Sequence, residues 1–284
     1  MRSRCDRRTL LRGAAAPRAA AAWPSLRAQG AGGGALERIR AKGRLLVGLY
    51  QELPPFHDQG RGIDVELAKL LAAALQLRFE PLPFAAGENM DDDLRNMVWK
   101  GHYLGWGPAD VLLHVPLDPP LQRANPQVRI VAPYYRERVM LALDTQAFAK
   151  PVESLSDLVG KRVVVQGQSL AGWLLAGAEG GRLQDTLNTH LADGVAAAQA
   201  LRRGEAQAAA GLASELESVL RGDPRYALQP LPTPRAPRDG WAIGCAVRKD
   251  ADDLADALQR AMQSLRESGR LQALFQDGGV TWRL

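Results

Sequence analysis

Beyond residue 43, short continuous apolar runs alternate with segments in which apolar residues recur at three- and four-residue spacing. The runs predict strands at 44–49, 78–82, 109–115, 138–143, 161–166, 206–210 and 241–247. The periodic segments predict helices at 63–77, 90–99, 169–176, 195–203, 212–220 and 250–268, with Ser154 opening a further short one. In the first helix Leu67, Leu70, Leu71, Ala74 and Leu75 share one face, and Asp64 is placed to cap its start. Strand alternating with helix predicts an α/β fold built on parallel sheet. The pattern restarts near Arg136, and four prolines between 230 and 237 predict an extended connection. Two α/β units joined by extended crossings near 136–143 and 237–247 are therefore expected.

Composition narrows the class. Of 284 residues, 46% are apolar and 24% charged, with 28 Gly and 18 Pro, enough core material for one large or two ordinary domains. Collagen-like, coiled-coil and disordered chains are excluded. The formal charge of +5 suggests a polyanion partner until its location is considered. Residues 1–34 carry seven Arg and a single acid, Asp6, so the rest of the chain is close to neutral and no nucleic-acid partner is expected. Those residues run from a charged start through an Ala-rich stretch to a Gly run, the layout of an export signal. Asp6-Arg7-Arg8-Thr9-Leu10-Leu11 resembles the twin-arginine type, although Pro17 and Arg18 interrupt the apolar stretch. The expectation is a periplasmic, soluble mature protein beginning between Ala28 and Ala35. Cys5 precedes the apolar stretch and cannot serve as a lipoprotein cysteine placed after one, and loss of the leader leaves Cys245 alone, which forbids an intrachain disulfide.

The loop Tyr50 to Phe56, the run Gly62 to Leu75, the Asp110 strand, Val131 to Tyr135, Leu158 to Ser169 and Ala257 to Gln276 appear in one colinear order. In that order the chain from 36 to 284 resembles the family 3 extracellular solute-binding proteins. The resemblance implies a two-lobed, periplasmic-binding-protein-like fold of type II, each lobe a mixed sheet flanked by helices, with two crossing strands as hinge. It implies one lobe from 35–136 plus 237–284, a second from 137–236, and lobe closure on a small solute delivered to an ABC transporter permease. Residues 91–116 and the terminal GVTWRL at 279–284 further resemble the subgroup associated with periplasmic quinoprotein alcohol (methanol) dehydrogenases. A monomer without cofactor or metal is expected.

The resemblance also places candidate ligand contacts. Phe56 stands where the family has an apolar wall, or is a core aromatic after Pro54-Pro55. Arg123 lies upstream of the Val131–Tyr135 segment, where amino-acid receptors keep an Arg for the ligand carboxylate; Asn125-Pro126 departs from that pattern and leaves a surface Arg as the alternative. Gln168 and Ser169 follow a strand and open a helix, where backbone amides and a hydroxyl can meet an anion, or where Ser169 is simply a cap. Trp106, in a loop with Trp99, His102 and Tyr103, can stack on a planar ligand, anchor a partner, or fill core. His114 ends a buried run and is either a ligand contact or a hydrogen-bonded core histidine.

One departure weighs on ligand class. Amino-acid receptors place an Asp after the small-residue strand to meet the ligand ammonium, and Leu212 stands there in this chain. A buried ammonium without a partner is costly, so a standard amino acid is not the expected solute, and a small polar or anionic one is. Two other functions stay open: an accessory protein docking on a quinoprotein dehydrogenase, and a cyclohexadienyl-dehydratase-like enzyme drawing on Glu52, Glu88 or His114 for proton transfer. His102, Asp110, His114 and Asp118 follow no metal-ligand spacing, and no nucleophile elbow, phosphate loop or dinucleotide fingerprint occurs. The chain is read as a non-enzyme.

Overall fold

The computed structural model describes residues 33–284; the expected export signal falls almost wholly outside the described residues. Helix α1 (Ala35–Lys42) leads into strand β1 (Arg44–Tyr50), helix α2 (Ile63–Ala74), edge strand β2 (Arg78–Phe84), short helix α3 (Met90–Leu94), strand β3 (Val111–Pro116), helix α4 (Pro119–Ala124) and the long strand β4 (Val128–Glu137). The chain then crosses into a second group: β5 (Val139–Asp144), β6 (Val163–Val164), α5 (Leu170–Ala176), β7 (Leu187–Asn188), α6 (Gly194–Arg202), β8 (Ala208–Leu212), α7 (Ala213–Leu220) and β9 (Tyr226–Pro230). It returns through a proline-rich connection to β10 (Trp241–Arg248), α8 (Asp252–Glu267) and α9 (Arg270–Asp277).

Two five-stranded sheets result, ordered β2-β1-β3-β10-β4 and β7-β6-β8-β5-β9. The returning strand β10 pairs antiparallel with both β3 and β4, so the end of the chain completes the first sheet while 139–230 builds the second alone. Each sheet is covered on both faces. In the first, Leu67 and Leu71 of α2, Leu254, Leu258 and Met262 of α8 and Phe275 of α9 bury one face, and Leu94, Met97 and Val98 bury the other. In the second, β8 reads Ala208 to Ala210 because helices press on it from both sides, and larger side chains would hold them off.

Local chemistry accounts for several boundaries. Asn89, Asp118, Ser169 and Asp193 each accept a backbone N–H at the start of α3, α4, α5 and α6. Strand β2 tolerates Pro81 and Pro83 because it is an edge strand, with one side free of a ladder. Three expectations need correction. The helix over 90–99 divides at Leu94 into an α-turn and a π-turn, Arg95–Trp99. The strand over 161–166 shortens to Val163–Val164 beside the two-residue β7, and Gln166 pairs separately in an isolated bridge to His190. Asp64 caps nothing: Gly62 occupies the cap position of α2, with φ at 127°, and a Cβ there would come within 2.3 Å of the Phe56 carbonyl oxygen.

The crossings between the sheets lie side by side. Glu137 ends β4, fully buried, and takes the Ser214 hydroxyl of α7 and the Arg138 amide. Gly240, with φ at 63°, presses on the Glu137 carbonyl so closely that an added Cβ would sit 1.8 Å from the oxygen. Trp241 packs against the cores of both sheets. A further link comes from the C-terminal tail: Trp282 Nε1 donates to the Tyr134 carbonyl at 2.8 Å, Arg136 N to the Arg283 carbonyl at 2.9 Å, and Thr281 N to Glu217 of α7 at 2.8 Å. Among the described residues, no helix is long and apolar enough to cross a membrane.

Candidate functional site

A cavity of about 590 Å³ opens between the two sheets. Met90, Pro116, Asp118 and Leu121 line it from the first, Gln166, Ser169, Leu170, Leu212 and Glu215 from the second, and Trp241 from the crossing. Its walls are strand ends and the helix starts that follow them, where open α/β sheets present their free backbone groups. Pro116 ends β3 and Asp118 caps α4, so a single turn brings a ring and a carboxylate to one wall. On the facing wall Leu212 ends β8 and Glu215 follows in the first turn of α7.

Glu215 forms the side-chain half of a capping box: its carboxylate accepts N–H from Leu212 at 2.8 Å and from Gly194, at the start of α6, at 3.2 Å. Burial pushes its carboxyl up to about 7; the two amides oppose that shift, and the nearby acids Glu137 and Asp193 reinforce it. A carboxyl that titrates higher in the folded chain than its usual 4.5 binds extra protons when folded. Its contribution to stability is full below pH 4.5 and is lost as pH rises through about 7. Relative to the wild type, Glu215→Gln is expected to gain about 2 kcal/mol of unfolding free energy between pH 5 and 8. Urea unfolding at both pH values measures this, and parallel pH slopes would contradict it.

Of the six residues expected to contact ligand, Ser169 alone lines the cavity. Its Oγ donates to the Gln166 carbonyl at 2.7 Å and accepts from Gly172 N at 3.0 Å, so it is also the cap of α5. Ser169→Ala is expected to lower stability by about 1 kcal/mol, checked by the midpoint of thermal unfolding. Gln168 is exposed and does not line the cavity, whereas Gln166, two residues earlier, does. Its Nε2 donates to the Ala192 carbonyl at 2.7 Å. Arg123 is exposed in the last turn of α4, two residues beyond Leu121, so the helix turns it about 200° from the residue that faces the cavity.

The remaining three belong to the first sheet's packing. Phe56, 2% exposed, meets the His114 ring edge-on at 4.2 Å and packs near Tyr135 and Phe275. His114 Nδ1 lies 3.1 Å from Asp64 Oδ2, and its amide donates to the Tyr134 hydroxyl, which donates to Asp64 Oδ1 at 2.8 Å. Trp106 stacks on His102 at 4.1 Å and rests against Phe84. Glu52 and Glu88 are exposed and do not line the cavity.

The inference drawn from Leu212 needs correcting. Leu212 does face the cavity, but the site does not lack acids, because Glu215 and Asp118 both line it. The missed signal was local: Ala213-Ser214-Glu215 after a strand is a helix start, and an acid at its third position turns back toward the strand end.

No protein-family model matches the sequence, and no curated protein matches it. Solved structures do. An ancestral cationic amino-acid solute-binding protein aligns with a TM-score of 0.64 at 19% identity, over 85% of this chain and 98% of its own. A second structure of that ancestor describes it as a precursor of cyclohexadienyl dehydratase. The L-cystine solute receptor of Neisseria gonorrhoeae, unliganded and open, aligns at 0.61 and 22% identity, over 89% of this chain and all of its own. An amino-acid ABC transporter substrate-binding protein from Streptococcus pneumoniae, bound to L-arginine, aligns at 0.58 and 20% identity, over 88% of this chain and all of its own. The chain thus has the mixed α/β, two-lobed periplasmic-binding-protein fold.

Proposed function

We propose that this chain is an exported, periplasmic solute-binding protein of the family 3 type, in which lobes of residues 35–136 plus 237–284 and 137–236 close on one small solute without chemical conversion. The observation that carries the reading is the cavity of about 590 Å³ with residues of both sheets in its wall, the sheets joined by two crossings that lie side by side. Ser169, Gln166, Asp118 and Glu215 are the polar contacts of this site, and an ABC transporter permease is the partner the fold suggests. The structural neighbours, described as receptors and substrate-binding proteins, support the reading. Thermal unfolding across a metabolite library tests it: a solute that binds the folded state raises the midpoint with concentration. Small-angle scattering should then show a smaller radius of gyration with that solute. A library that shifts nothing, together with solute-free protein from its native host, would refute it.

A second reading rests on a different observation. In the loop after the π-turn, Tyr103 is 87% and Leu104 68% exposed, beside a partly exposed Trp99. Exposed apolar side chains of this size suit an accessory protein that docks on a periplasmic quinoprotein alcohol dehydrogenase. Replacing both with Ser should abolish co-purification with a dehydrogenase while leaving stability nearly unchanged.

A further inference from the structure

On the premise that the interlobe cavity is the solute site, we infer that its ligand is a compact apolar amine, an aliphatic or aromatic body with one cationic head and no carboxylate. Six of the ten lining residues, Met90, Pro116, Leu121, Leu170, Leu212 and Trp241, are apolar, and they come from both lobes and the crossing. An apolar body therefore gains burial on every side as the lobes close. The polar remainder is weighted towards acceptors. Among the described residues Asp118 and Glu215 are the charged ones of the wall, one from each lobe, and no described Lys or Arg joins them.

The neutral polar groups point the same way. The Ser169 hydroxyl proton is held by the Gln166 carbonyl, and the Gln166 amide donates to Ala192. What these side chains keep for a ligand is the second Ser169 lone pair, Gln166 Oε1 and one remaining N–H of Gln166, a set weighted towards acceptors. An ammonium, with three donors and one positive charge, matches that set; a carboxylate would face two acids and meet no cation.

Isothermal titration of the full chain at pH 8, above the value of about 7 to which burial pushes Glu215, tests the inference with phenethylamine, 3-phenylpropionate, L-phenylalanine and L-arginine. Phenethylamine should bind at least roughly tenfold more tightly than each of the others. Asp118→Asn, which keeps a side chain able to cap α4, and Glu215→Gln should each weaken it by about fivefold or more. Equal or tighter binding of phenylpropionate or of either amino acid would overturn the ligand class while leaving the solute-binding reading intact. Unchanged phenethylamine affinity in both variants would overturn it too, as would failure of all four probes, and the metabolite library then tests the broader reading separately.

Discussion

Replacing Glu217 with Ala lowers the unfolding free energy by about 3–5 kcal/mol, measured by urea denaturation. Glu217 is nearly buried on α7, where its carboxylate accepts the Thr281 amide at 2.8 Å and pairs with the Arg283 guanidinium. Arg283 is itself largely covered and donates to the Tyr135 hydroxyl at 2.9 Å. Removing the carboxylate strands a desolvated cation and an amide together, and this exceeds the loss of one favourable contact. The double variant Glu217→Leu with Arg283→Met should recover most of the stability, since it leaves neither charge unpaired. A loss under about 1 kcal/mol for the single variant would show that solvent already reaches the pair. Because the tail ties β4 to α7, the single variant should also widen the radius of gyration of the ligand-free protein.

The second large effect is expected at Asp64. Its side chain, 2% exposed, accepts from the Tyr134 hydroxyl and from His114 Nδ1. Asp64→Ala leaves a fully buried phenol and an imidazole without their acceptor, at a cost of about 3–4 kcal/mol. Asp64→Asn keeps an oxygen for Tyr134 and should lose about half as much. The network also holds His114 at φ 62°, a left-handed conformation unusual for a side chain of its size, through the bond from its amide to Tyr134. Two residues later β3 delivers Pro116 to the cavity, so under the proposed function solute affinity should fall with stability in the Ala variant. Thermal unfolding within about 1 °C of wild type would refute the assignment.

Particular elements show where local pattern suffices. The apolar stripe of α8, Leu254, Leu258, Met262 and Leu265, is buried as its spacing predicts, and β1, β5, β8 and β10 lie within a few residues of their apolar runs. Strand β4 was not read as a strand, and Val131 to Tyr135 entered only through the resemblance, because its burial follows no two-residue period. Asp64 shows how local logic misleads: an acid in the first turn of a helix suits a cap, yet Tyr134, seventy residues away, claims it. Arg123 and Phe56 follow the same rule, since where each faces depends on which neighbour the fold brings, or does not bring, within reach.

By itself the sequence determined the alternation of strand and helix and the restart near residue 136, because periodicity and turn chemistry act over a few residues; the return of the chain end to the first unit was implied only by the family resemblance. Tertiary structure decided the chemistry of the cavity. Ser169, Leu212 and Glu215 approach Met90, Asp118 and Leu121 only when two sheets, joined through Glu137 and Gly240, bring their strand ends to one cavity. Contacts at such sequence separations leave no periodic trace, and the acids that set the cavity's charge emerge only from the assembled lobes.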